Sequence, residues 1–473
     1  MLFSSVVFLF YFLPVVLVLY YSLRFSLLLK NIVLLFASLF FYAWGEPWFV
    51  LLMLGSIFFN YLFALFVDKY RENKRTARFI LIVMCVFNLG LLYVFKYLTF
   101  TLRIINENTQ AHIAIPNIVL PIGISFFTFH AISYVIDVYR RHGKVQKNFF
   151  YVALYISFFP QLVAGPIIRY NTISEQMHHR RETWQKFSVG CCRFITGLGK
   201  KVLLSNSMAI VADRIFSMGA EGHIPASLAW LGAAAYTLQI YFDFSGYSCM
   251  AIGLALMFGF KFEENFNYPY ISKTITEFWR RWHISLGSWF RDYVYFPMGG
   301  SRVKNKDKMI RNLLVVWLLT GIWHGAEWTF VVWGLINFAC IAVEKVFNLD
   351  KMNRFNRLRH VYAMLVVLIG WVIFRSHNLV EAGNYLGNMF GLNHNGFWSD
   401  YTYMFAKEYG VFFLLGIIFS TPIAKRINKL VVDGAPFSKS LEFTYPLGIL
   451  FLFLLCVCYL VKGTYNPFIY FNF

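Results

Sequence analysis

Two histidines in this chain stand where a histidine needs a reason to be. His324 lies in Trp323-His324-Gly325-Ala326-Glu327-Trp328, inside a long apolar run. His283 closes Phe278-Trp279-Arg280-Arg281-Trp282-His283, and the chain continues through Trp289-Phe290-Arg291-Asp292-Tyr293 to Pro297-Met298-Gly299-Gly300. Ionisable groups at membrane depth are costly and usually face a cavity filled by water or substrate. An imidazole titrates near working pH, so it suits the removal of a proton from an attacking hydroxyl. The plainer reading of His324 is a structural histidine bonded to a neighbouring helix. His283 has the same two readings, a second functional histidine or a structural one. Arg280, Arg281 and Arg291 could clamp phosphates or simply anchor an interfacial helix. Asp292 could orient a base or pair with an arginine. Trp282 and Trp323 could line a substrate path or only pack. Glu327 falls three residues after His324, on the same face if that piece is helical. No third ligand stands near the two histidines at a helical or loop spacing, so no metal site is expected.

The elements that must hold these residues are membrane helices. The chain of 473 residues is 59% hydrophobic and 20% aromatic but only 14% charged. Soluble domains carry roughly 25% charged residues. At about 20 residues per crossing, the length leaves room for roughly ten or eleven crossings plus loops. The net charge of +20 sits in clusters between apolar runs. That pattern fits cytoplasmic loops obeying the positive-inside rule better than a nucleic-acid binder. The same basic face would attract a phosphorylated cytoplasmic substrate. Seven cysteines form no zinc-type spacing and read as small buried hydrophobes. The first apolar run, from Leu2 to Tyr21, has no charged n-region and reads as a membrane helix, not a removed signal.

Taken in order, Arg24 and Lys30 mark a first cytoplasmic loop, and residues 68–78 a second. Residues 118–138 form a crossing that carries His130, read as a packing residue, and Asp137. Residues 149–168 are apolar but interrupted by Pro160 and Ala164-Gly165-Pro166. Basic stretches flank them, including His178-His179-Arg180-Arg181. Such a segment reads as re-entrant, its loose backbone shielded by protein. Residues 225–260 fit one tilted crossing plus an extra piece, with Asp243 buried and paired inside Tyr241-Phe242-Asp243-Phe244-Ser245-Gly246-Tyr247. Residues 261–311 are basic (Arg302, Lys304, Lys306 and Lys308 among them) and aromatic, so they should lie in or under the interface. Residues 313–343 are too long for one ordinary crossing and barely enough for two. Residues 376–410 read as a polar outside loop, and Lys425, Arg426 and Lys429 as a last cytoplasmic cluster. The pattern closes with both termini extracytoplasmic in a single polytopic domain, 1–473.

The motif pieces Arg280-Arg281-Trp282-His283-Ile284-Ser285-Leu286, Trp289-Phe290-Arg291-Asp292-Tyr293, Pro297 to Gly300 and Gly321-Ile322-Trp323-His324-Gly325-Ala326 carry a resemblance. Gln161-Leu162-Val163-Ala164-Gly165-Pro166-Ile167 and the Asp243 motif join them. Together they resemble the membrane-bound O-acyltransferase (MBOAT) superfamily, in particular its bacterial alginate O-acetyltransferase-like branch. The resemblance implies an all-α polytopic membrane protein with re-entrant and interfacial helices. Its motif-bearing core would span about residues 120–345, between N-terminal helices in 1–117 and C-terminal helices in 346–473. It implies an enzyme that moves an acyl group, by preference acetyl, from a cytoplasmic thioester to a hydroxyl outside. His324 would be the general base and His283 a second catalytic histidine, with Arg280, Arg281, Trp282, Arg291, Asp292 and Trp323 contacting substrate. The donor would be acetyl-CoA or an acyl carrier thioester, with no bound cofactor. The acceptor would be a polysaccharide, or a partner protein that relays the group to one. The setting would be the bacterial cytoplasmic membrane and its lipid. The alternatives are D-alanyl transfer from a carrier protein to teichoic acid, and a transporter or flippase.

Overall fold

The computed structural model describes residues 1–220, 222–303, 305–349, 355–426, 438–463 and 465–472. Lys304 and Lys429 lie outside the described residues. Among these, every regular element is a helix, so the chain is an all-α polytopic membrane protein. Seven helices are long and apolar enough to cross a bilayer, and three shorter apolar helices accompany them. Together they approach the number of crossings that length allows. The chain divides into two compact units, residues 1–194 with 250–263, and 195–249 with 264–473.

In the first unit, apolar helices are joined by the few polar side chains they carry. Asn60 on Phe49–Lys69 and Asn88 on Lys74–Leu92 exchange reciprocal amide hydrogen bonds of 3.0 and 2.8 Å. Such pairs are how helices recognise one another where lipid supplies no hydrophobic drive. Lys30, expected in a loop, instead lies buried in the helix Leu27–Ala43 and meets Glu182 at 3.1 Å. Arg180, expected on a basic surface, is buried as well. It donates to the Tyr20 hydroxyl at 2.9 Å and to Asn31 at 2.6 Å. Burial pushes the Glu182 carboxyl upward, but the Tyr20 hydroxyl and Lys30 outweigh it, and the group sits below the usual carboxylate range. A run of basic letters therefore hid a buried charge network.

The interrupted segment 149–168 is a helix, Phe149–Ser157, broken at Phe158 and followed by the single turn Phe159–Leu162. Protein side chains fill the bonds the break leaves open. Ser38 Oγ accepts from the Phe159 N–H at 3.0 Å, and the Tyr155 hydroxyl donates to Ile168 O at 2.9 Å. Buried irregular backbone needs partners of this kind for its polar groups.

In the second unit, residues 313–343 prove to be part of a helical hairpin. Its first arm is Lys306–His324 and its second Trp328–Val346. The first arm begins in what composition marked as a basic interfacial patch, so each arm has a full 19 residues. Gly321 and Gly334 let the arms touch. A Cβ on Gly321 would fall 2.5 Å from Phe330 O, and one on Gly334 2.6 Å from Trp317 O. Within 225–260 the length beyond one crossing belongs to the same element, since Ala226–Met257 is one helix of 32 residues. The polar stretch 376–410 is not simply a loop. It holds the helix Leu379–Met389, whose Asn378 cap accepts from the Glu381 N–H at 2.8 Å, and the start of Asp400–Phe419. Polar letters there reflect an amphipathic helix with one buried face.

Candidate active site

The hairpin turn places His324 as the last residue of its first arm, and Gly325 follows in extended conformation. Only a glycine fits at that turn. A Cβ on Gly325 would lie 2.1 Å from the Phe330 ring, which fills the turn. Glu327 therefore does not share a helical face with His324. It sits in extended backbone at the N-cap of the second arm.

Three aromatic rings surround the His324 imidazole. Trp323 lies 4.8 Å away, Trp333 5.1 Å and Phe374 5.1 Å, all edge to face. Trp333 and Phe374 are almost wholly buried, so the half-buried His324 ring packs into an aromatic chamber whose walls are these three side chains. Phe374 comes from the helix Asn356–Arg375, which also carries Trp371, stacked 6.2 Å from Trp333.

The other motif reaches the same rings from a short helix, Ile275–Arg281. Trp279 packs edge-on to Trp333 at 5.3 Å, and Trp282 lies 4.9 Å from Trp371. His283 follows, buried, 6.5 Å from the Trp323 ring. Its backbone is left-handed, with φ 44° and ψ 54°, a region a non-glycine residue enters only when its surroundings hold it there. Asn265, buried, does the holding. Its carbonyl accepts the Ile284 N–H at 2.9 Å and its Oδ1 the Ser285 N–H at 3.0 Å.

Four of the residues singled out from sequence, Trp282, His283, Trp323 and His324, thus meet around one tryptophan cluster. The charged ones have partners of their own. Arg281 bridges Glu277 at 2.9 Å and donates to Asn267 O at 3.1 Å. Arg280 is exposed, and Arg291 pairs with Asp292 at 3.0 Å. Asp243 is structural in its bonding. It meets Lys201 at 2.5 Å, both fully buried, and accepts the Ile469 N–H at 2.9 Å. His130 belongs to the first unit, where its buried ring meets Tyr155 at 5.5 Å. Two cavities of about 470 and 460 Å³ are lined by other residues, around Asp213 and around Arg141. No group of three metal-ligating side chains occurs among the described residues.

Several contributors to the site went unread in the sequence. Trp333, Trp371 and Phe374 are apolar letters in apolar runs, where nothing in their spacing separates chamber wall from lipid face, and Trp279 stands in the motif beside Arg280 without a mark of its role. Glu344 and Asn337 did carry a signal, as polar residues on a membrane helix. Glu344 was masked because Lys345 beside it made the position look like the start of a loop.

Comparison with known proteins rests on the same residues. Residues 36–380 match the family described as MBOAT, membrane-bound O-acyltransferase, a span that includes both histidine motifs. The chain belongs to the membrane-bound O-acyltransferase family. It is 40% identical to the probable alginate O-acetylase AlgI of Pseudomonas putida, over 100% of both chains. It is 35% identical to the peptidoglycan O-acetyltransferase of Helicobacter pylori, covering 83% of this chain and 80% of that one. The teichoic acid D-alanyltransferase of Bacillus subtilis is 30% identical over 57% of this chain and 72% of its own length. This chain is therefore a multi-pass membrane O-acyltransferase, and the two histidine motifs within the matched span meet at the aromatic cluster beside His324.

Proposed function

We propose that this O-acyltransferase takes an acetyl group from a cytoplasmic thioester, acetyl-CoA or an acyl carrier, and delivers it to a hydroxyl on the far side of the bacterial cytoplasmic membrane. His324 is the general base. It takes the acceptor's hydroxyl proton as that oxygen bonds to the thioester carbonyl carbon. Collapse of the tetrahedral intermediate breaks the C–S bond, and the proton passes to the departing thiolate. His283 works beside it, and the cationic residues Arg280 and Arg281 attract the donor's phosphates. The acceptor is a polysaccharide, or a partner protein that relays the acetyl group to one. In this arrangement both termini are extracytoplasmic.

The observation that carries the reading is the meeting of the two histidine motifs on the Trp333–Trp371 stack. Two histidines from separate motifs, both held beside one aromatic cluster, give the arrangement that a shared site needs. The names of the relatives, O-acetylases of alginate and peptidoglycan, favour acetyl over D-alanyl. The test offers the protein in vesicles two labelled donors, acetyl-CoA and a D-alanyl carrier protein, with an extracted acceptor fraction. Acetyl-CoA is expected to be consumed and the label to appear as acetyl ester. Consumption of the D-alanyl carrier alone would replace this reading.

A further inference from the structure

The second arm of the hairpin, Trp328–Val346, carries Asn337 at its middle and Glu344 in its last turn. Both are buried, Glu344 with no exposed surface. A carboxylate in such a place costs several kcal/mol unless it is fully bonded. Its partners are specific. Glu344 Oε1 accepts the Ile275 N–H at 2.6 Å and Oε2 the Thr276 N–H at 2.8 Å. Those are the first two backbone donors of the helix Ile275–Arg281, which have no partner within the helix itself. Thr274 accepts the next, from Glu277, at 3.0 Å. The Tyr362 hydroxyl, from the helix Asn356–Arg375, is a further partner of the Glu344 carboxylate.

Seven residues back on the same arm, two helical turns away, Asn337 Oδ1 accepts the Trp279 indole N–H at 2.8 Å. Asn337 is oriented in turn, since its Nδ2 donates to Trp333 O at 2.9 Å. The short helix is thus pinned at its start by Glu344 and on its flank by Asn337. One helix therefore carries the ring that faces His324 and also the two groups that fix the helix delivering His283.

We propose that Glu344 and Asn337 are positioning residues, which set the helix end Arg280–His283 against the His324 chamber so that both motifs act on one acyl group. The inference rests on the function proposed above. A short helix of seven residues has little stability of its own, and its register is set by what holds its ends. Without the carboxylate, the helix could rotate or unwind by part of a turn and still pack, but His283 would move relative to His324. Small misplacements of this kind cost rate far more than they cost stability.

The test is a double-mutant cycle on kcat/KM with the thioester donor, using Glu344→Gln, His283→Ala and the pair. A glutamine keeps one acceptor and turns its NH₂ toward the other backbone N–H, so one bond is lost with little change in volume. Glu344→Gln alone is expected to lower kcat/KM about 10- to 100-fold, the loss of one bond to a charged group. In the His283→Ala background it should lower the rate no more than about 3-fold, because the group it positions is gone. Glu344→Asp should recover part of the rate. Hydrogen exchange should quicken in residues 275–283 and stay unchanged across 306–346. Equal losses in both backgrounds, or faster exchange throughout the unit, would overturn the positioning role and leave the proposed function standing. A His283→Ala variant with wild-type rate would instead overturn the assignment of His283 itself. Should that variant be too slow to measure, the exchange pattern alone decides.

Discussion

Replacing His324 by alanine is expected to abolish acyl transfer while leaving a folded protein in the membrane. The imidazole sits at the end of a helix, against rings that belong mainly to other elements. The hairpin arms are held by their own close backbone contact at Gly321 and Gly334, which the substitution leaves in place. Loss of the imidazole should therefore show in kcat more than in stability. A general base contributes roughly 10²- to 10⁴-fold, and the proposed chemistry has no other base at the hydroxyl. His324→Ala should thus leave under about 1% of the acetyl ester on the exported product, with expression and Tm in detergent close to wild type. Acetylation near the wild-type level in that variant would remove His324 from the mechanism. A variant absent from the membrane would return the residue to a structural role.

The second large effect is expected at a buried ion pair that takes no part in the chemistry. Asp243 and Lys201 form a fully buried ion pair at 2.5 Å inside apolar helices. The pair also fastens the C-terminal segment. Lys201 donates to Pro467 O, Asp243 accepts from Ile469 N at 2.9 Å, and Phe468 stacks on Tyr247 at 5.2 Å. Asp243→Ala leaves an ammonium group buried without its counter-charge. Breaking a buried pair from one side costs about 3–5 kcal/mol. Folded protein recovered from membranes should fall sharply, and protease should gain access to residues 465–470. Removing both charges, Asp243→Ala with Lys201→Met, should restore much of the yield, since an apolar replacement of both partners is often neutral or better. A single Asp243→Ala variant with wild-type yield and a protected tail would contradict this account.

How much of this was legible in the letters depends on what each residue does. The histidine motifs were readable because a titratable side chain in an apolar run has few innocent explanations. Asp243 was readable as buried and paired for the same reason, but its partner was not. Lys201 reads as the inner end of a crossing, and the turn from Pro467 to Ile469 carries no mark of being buried. Lys30 and Arg180 were read as surface charge, because positive-inside logic counts cations without asking which ones are shared. The hairpin was half visible. Its apolar stretch was too short for two helices, because the first arm draws its opening turns from charged residues after Asn305. Composition windows cannot see that a polar turn belongs to the helix it starts. The chamber walls were not visible at all, since Trp333, Trp371 and Phe374 differ from lipid-facing aromatics only in what they touch.

The central claim is that the acyl group is transferred at His324, between the two motifs. It is tested most directly by an experimental structure of the membrane-embedded protein with a non-hydrolysable thioether analogue of acetyl-CoA. The account predicts that the carbon standing for the carbonyl lies within the Trp323–Trp333–Phe374 chamber, with room for one hydroxyl oxygen about 3–3.5 Å from both it and the imidazole. An analogue bound elsewhere, with the His324 ring still closed in by the three aromatic side chains, would contradict it.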